Sequence, residues 1–174
     1  MRKIWLLVFS LLIFLLSFNI SFAQEVSPTP TSQVNYELPY PGLLPDSPIY
    51  FLRIIRDKAV NFLIADPLKK ADFNLLQADK RLSAGIHLFN KGKFSLAVTT
   101  ISKGENYFEE ALTKKREAVK QGMDIKDIER RLMQAVAKHH KELDSLTKRA
   151  SKSFKASFET ELKRVTEFQK ELSR

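Results

Sequence analysis

The stretch Ile125–Leu172 reads IKDIERRLMQAVAKHHKELDSLTKRASKSFKASFETELKRVTEFQKEL and contains neither Pro nor Gly. Its stripe positions are Ile125, Ile128, Leu132, Val136, His140, Leu143, Leu146, Ala150, Phe154, Phe158, Leu162, Val165, Phe168 and Leu172. They recur every 3.6 residues or so, the period of a straight α-helix and not the 3.5 of a coiled-coil seam. The pattern predicts one long amphipathic helix of about 75 Å at 1.5 Å per residue. A break near 151–157, folding the second half back, is the alternative.

Upstream of this stretch the helical period returns three times. Ser47-Pro48 offers an N-cap followed by a proline at the first helical position, where its missing N–H costs nothing. Leu52, Ile55, Ala59 and Phe62 then form the stripe of a first helix over 48–64. Asp66-Pro67 repeats the start signal, and Leu68, Ala71, Leu75, Ala78, Leu82, Ile86 and Phe89 form the second stripe. Asn90-Lys91-Gly92 stops that helix, with Gly92 suited to a left-handed C′ position. A third helix runs from Phe94 to about Gln121, and the short connection makes helices two and three an antiparallel hairpin. Asp124 opens the long last helix, with Asp127 in the third slot of a capping box.

The fold class is therefore all-α: a helical core, a Pro-rich strap before it and a long amphipathic helix after it. The core is expected to contain Leu43, Leu44, Tyr50, Leu52, Leu75, Leu82, Phe89, Phe94, Ile101 and Phe108. The segments are 1–23, 24–46, 47–122 and 123–174. Residues 1–23 have the three-part layout of a secretory signal peptide: Arg2-Lys3, an apolar run from Ile4, and Ser21-Phe22-Ala23 before the cut. The chain is expected to be extracytoplasmic, secreted after cleavage near Ala23, or else anchored by an uncleaved N-terminal helix. Residues 24–46 begin as a Ser/Thr/Pro-rich tether, then turn apolar at Leu38, Tyr40, Leu43 and Leu44, which need cover. This half reads as an extended strap on the helices.

Composition removes many function classes. With no Cys there are no disulfides, thiolate zinc sites, iron–sulfur clusters or cysteine nucleophiles. Five scattered Gly form no phosphate-cradling loop. His139 and His140 are adjacent and point about 100° apart on a helix, so one metal ion cannot easily take both. The carboxylate pairs Glu109-Glu110 and Glu159/Glu161 sit among lysines at helical spacing, as solvated ion-pair faces do. No catalytic residue, cofactor or metal site is expected, and the chain reads as a non-enzyme.

The net charge of +9 supplies one candidate surface. Lys138, Lys141, Lys148, Lys152 and Lys155 fall within about 100° of arc on one long helix. Such a stripe could meet an anionic envelope polymer or membrane surface. The Phe-rich stripe of Phe154, Phe158, Leu162, Val165 and Phe168 is the other candidate, a helix face for a protein partner or self-association. Nucleic acid is excluded by the lack of any basic-plus-aromatic motif or helix-turn-helix spacing.

The run LPDSPIYFLR at 44–53, then DPLKKA at 66–71, then GKFSLA at 92–97, resembles a bacterial domain-of-unknown-function family of exported helical proteins. Its pattern is LPDSPxYxL(K/R), DPxKKA and GKxxxA, in that order. The likeness covers about Leu38 to Leu112 and leaves the last helix outside. It implies a secreted helical module and supplies no activity, cofactor or site residue.

Overall fold

The computed structural model describes residues 36–174, so the expected signal peptide and most of the tether lie outside the described residues. The described residues contain five helices: α1 (Tyr50–Leu63), α2 (Pro67–Asn90), α3 (Phe94–Lys120), α4 (Lys126–Arg149) and α5 (Lys152–Leu172). No strand occurs among them. None of these helices is long and apolar enough to cross a membrane.

The helix ends follow local chemistry. The Asp66 carboxylate accepts from the Lys69 N–H at 2.9 Å and starts α2. Gly92 and Gly122 adopt φ of +73° and +71° after α2 and α3, the left-handed geometry that glycine enters without strain. Ser47-Pro48 forms part of a turn ahead of α1, with the Ser47 N–H donating to Leu44 O, so α1 begins two residues later than the N-cap signal suggested.

The expected long C-terminal helix is two helices. Ala150 (φ −67°, ψ 143°) and Ser151 (φ −63°, ψ 157°) are extended, and the chain turns back there. Length explains the break. Helices α2 to α5 run 24, 27, 24 and 21 residues, so all four match within a turn or two. A continuous α4–α5 would leave some 30 Å of apolar stripe without cover. Losing two residues of helical hydrogen bonding costs far less than exposing Phe158 and Val165, both fully buried.

Cross-helix partners give the directions. Asp72, Asp79 and Asn90 of α2 meet Arg131, His139 and Arg149 of α4, so these two helices run parallel. Phe94, Phe108 and Arg116 of α3 meet Phe154, Phe168 and Glu171 of α5, so this pair is parallel too. The α2–α3 and α4–α5 hairpins thus stack as a four-helix bundle. The hairpin α2–α3 closes tightly, since a Cβ on Gly85 would collide with the Ile101 side chain. Leu75, Leu82, Phe89, Ile101 and Phe108 are core as expected, and Phe94 is partly buried against them.

The N-terminal end departs from the sequence reading. Leu43 and Leu52, expected inside, are exposed, as is Tyr40. Tyr36 and Leu38 of the strap do pack on the bundle. Helix α1 sits on the bundle with its apolar stripe turned outward.

Candidate functional site

Four elements bring polar side chains into the centre of the bundle. Asp79 comes from α2, Glu105 from α3, His139 from α4 and Tyr36 from the strap. His139 Nδ1 lies 2.9 Å from Glu105 Oε1 and Nε2 lies 3.0 Å from Asp79 Oδ1. The Tyr36 hydroxyl donates to Asp79 Oδ2 at 2.5 Å. Each histidine nitrogen faces a carboxylate oxygen that can accept, so the doubly protonated imidazolium is the form that donates to both. Burial by itself would pull the His139 pKa down from 6.5. The Glu105 charge and the hydrogen bonds to Asp79 and Glu105 outweigh it and hold the group at about 10. Burial, with the adjacent Asp79 charge, pushes the Tyr36 hydroxyl well above its ordinary range.

This cluster is sealed. His139 and Glu105 are fully buried, and Phe108 packs on the imidazole with ring centres 5.2 Å apart. Both ring nitrogens already hold carboxylates, so neither has a lone pair for a metal ion or a substrate proton. Among the described residues, no group of three His, Cys, Asp or Glu side chains is placed to hold a metal. A cleft of about 460 Å³ between α1 and α3, and a groove between α3 and α5, are lined by other residues. The arrangement ties α2, α3, α4 and the strap together.

Its pH dependence follows from the sign of the His139 shift. A cation whose folded pKa is raised stabilises the fold fully below its unfolded pKa. Unfolding free energy should therefore fall as pH rises from about 6.5 through 10. Urea midpoints measured across that interval check this, and a flat profile contradicts the charged network.

The sequence reading placed His140 in the stripe. The structure puts His139 there and leaves His140 half-buried, because a period near 3.6 admits either neighbour and the two carboxylates select one. Glu105 occupies a core position between Ile101 and Phe108. The gap in apolar residues at that position was the signal for it.

The predicted Phe stripe is not a free face. Phe158 and Val165 are fully buried, Phe168 stacks on Phe108 at 5.4 Å, and Phe154 and Leu162 pack against the core. The turn at Ala150–Ser151 brings them inside, where the four-helix bundle needs an apolar fourth wall.

The Lys stripe is divided by the same turn. Lys138, Lys141 and Lys148 lie on α4, while Lys152 and Lys155 lie on α5. Lys138 pairs with Glu142 at 2.9 Å, Lys148 with Asp144 at 2.6 Å, and Lys155 approaches Glu159 at 4.0 Å. Each carboxylate sits one turn along the same helix, so much of the stripe's charge is met locally.

Among the described residues, several of the exposed large apolar side chains cluster on α1. Its inner side carries Arg53 and Asp57, both buried, with Tyr50, Ile54 and Asn61 beside them. Arg53 donates to the carbonyls of Pro41 and Leu43, the latter at 2.8 Å, and pairs with Asp57 at 3.5 Å. Burial and the nearby Arg53 and Arg56 charges lower the pKa of Lys80, which faces this side from α2. Thus the inner side of α1 is tied to the strap through Arg53, while Tyr50 and Ile54 line the cleft against α3. At 100° per residue its outer side presents Phe51, Phe62, Ile55, Ala59, Leu52 and Leu63 over about 120°. The five large residues of this arc are between 55% and 85% exposed. The stripe itself was legible in the sequence, where it was expected to line the core.

A family model described as "Domain of unknown function (DUF5667)" matches residues 42–171. The match extends past Leu112 through α5, so the C-terminal helices belong to the matched region, against the shorter likeness drawn from the motifs. No curated protein and no solved structure matches the chain.

Proposed function

The chain belongs to the DUF5667 family, and from that premise we propose that it is a non-enzymatic, extracytoplasmic helical docking module whose working surface is the outer side of α1. The observation that carries this is the inverted burial of α1: Arg53 and Asp57 face in while Phe51, Leu52, Ile55, Phe62 and Leu63 face out. A helix held to its own bundle through apolar contacts would bury that arc. Scattered exposed apolar residues are ordinary, but a continuous arc on one helix marks an interaction surface. The sealed His139 cluster supports a structural reading of that polar centre, since Tyr36, Asp79, Glu105 and His139 line neither cleft.

The test uses residues 34–174, which form one compact unit. Phe51→Ser/Ile55→Ser/Phe62→Ser should shift unfolding free energy by no more than about 0.5 kcal/mol per site, as exposed positions do. The same variant should lose retention on a phenyl resin. A loss of several kcal/mol would make α1 a core helix and overturn the reading.

A further inference from the structure

We propose that the surface recognised by α1 is an anionic lipid bilayer, entered at the headgroup–acyl boundary by Phe51, Ile55 and Phe62 with Arg56 and Lys58 on the lipid phosphates. This rests on the docking reading of α1 and names its partner. Three features support this assignment.

The first is charge placement. At 100° per residue Lys58 falls at one edge of the apolar arc and Arg56 at the other. Both are exposed; the Arg56 guanidinium rests on Asp57 Oδ1 at 2.8 Å, a surface contact it can exchange for a phosphate, and Asp57, the sole carboxylate of α1, is itself buried on the opposite side. An apolar sector bordered by cations is the layout of an interfacial helix, which lies in the membrane plane.

The second is area. Helix α1 has 14 residues, hence about 21 Å of length, and at 55% to 85% exposure the five large side chains of its outer arc offer about 600 Å². A stable protein–protein interface buries about 800 Å² per partner. The arc by itself reaches only the lower end of that size, whereas a fluid bilayer demands no matching shape and no minimum patch.

The third is orientation. The Arg53 bonds to the Pro41 and Leu43 carbonyls tie the buried side of α1 to the strap, on the side opposite the arc. The arc is held outward before any contact, so little ordering entropy is lost on insertion.

The experiment uses the full chain, whose lack of native cysteine lets a Phe62→Cys variant carry a single environment-sensitive fluorophore. Position-specific labelling separates the α1 signal from any contribution of the N-terminal residues. On phosphatidylglycerol/phosphatidylcholine vesicles the label at 62 should shift to the blue and be quenched by doxyl-labelled lipid. A label at Met133→Cys, exposed on α4, should do neither. Arg56→Gln/Lys58→Gln should reduce the quenched fraction's partition by about 30-fold, the loss of two headgroup contacts, as should pure phosphatidylcholine. A blue shift that grows with protein concentration but escapes lipid-borne quenching would mean a second copy and overturn the lipid assignment while keeping the α1 face. No shift at 62, or equal quenching on both vesicle types, also overturns it. Loss of phenyl-resin retention by the wild-type domain is the separate result that would remove the docking reading itself.

Discussion

Replacing His139 with leucine is expected to destabilise the fold by about 3–5 kcal/mol in urea unfolding, the range seen when one partner of a buried ion pair is removed. Asp79 and Glu105 would be left facing each other across an apolar side chain, with the Glu105 carboxylate fully buried. The penalty comes from stranded charge more than from lost contacts. A variant that also carries Asp79→Leu and Glu105→Leu should recover most of the loss or exceed wild type, because a well-packed apolar set needs no desolvation of ions. Such a variant should also lose the decline in stability above pH 6.5 that the raised His139 pKa imposes. A single His139→Leu variant within about 0.5 kcal/mol of wild type would mean that the three groups do not form a charged unit.

Phe158→Ala carries the second large effect, also about 3–5 kcal/mol, the cost of deleting a buried phenyl ring and leaving a cavity. Phe158 is fully buried and meets Phe89 edge-on at 5.5 Å between ring centres. The position discriminates between two architectures. With α4 and α5 as one projecting helix, residue 158 would stand in solvent and the substitution would cost almost nothing. Equilibrium unfolding monitored by circular dichroism distinguishes the outcomes, and an effect below about 0.5 kcal/mol contradicts the turn at Ala150–Ser151.

The helices and most of their ends were legible in the sequence because those signals are local. Asp66-Pro67, Gly92 and Gly122 act on their own neighbourhoods, so periodicity and capping suffice to place α2 and α3. The turn between α4 and α5 was not legible in the same way. Residues 150–152 are Ala-Ser-Lys, with no Pro or Gly, and all three are tolerated in a helix. The turn exists because the partner helices end there and the Phe stripe needs cover, which is a tertiary requirement. His139 rather than His140 was undecidable for a related reason: the stripe's phase is set by Asp79 and Glu105, which lie 60 and 34 residues away.

Helix α1 shows where periodicity stops being informative. Leu52, Ile55, Ala59 and Phe62 do share one face, so the spacing was read correctly. Periodicity says that a face exists and not which way it points. The sequence did contain a counter-signal in Arg53 and Asp57, spaced i,i+4 opposite that stripe. Long side chains can satisfy backbone carbonyls on a bundle surface, and Arg53 does so at Pro41 and Leu43. The apolar arc is then free to face another phase, which is where the proposed docking role begins.

The outward placement of α1's apolar arc is tested most directly by thiol accessibility, since the chain has no native cysteine. Phe62→Cys and Ile55→Cys should be alkylated in the native protein, without lipid, within about threefold of their rate in urea, as exposed sites on a surface helix are. Ala97→Cys, at a fully buried position of α3, should be slowed at least about a thousandfold, since its exposure waits on opening of the bundle. Protection of the thiols at positions 62 and 55 to the level of the thiol at position 97 would place the arc inside the fold and contradict the account.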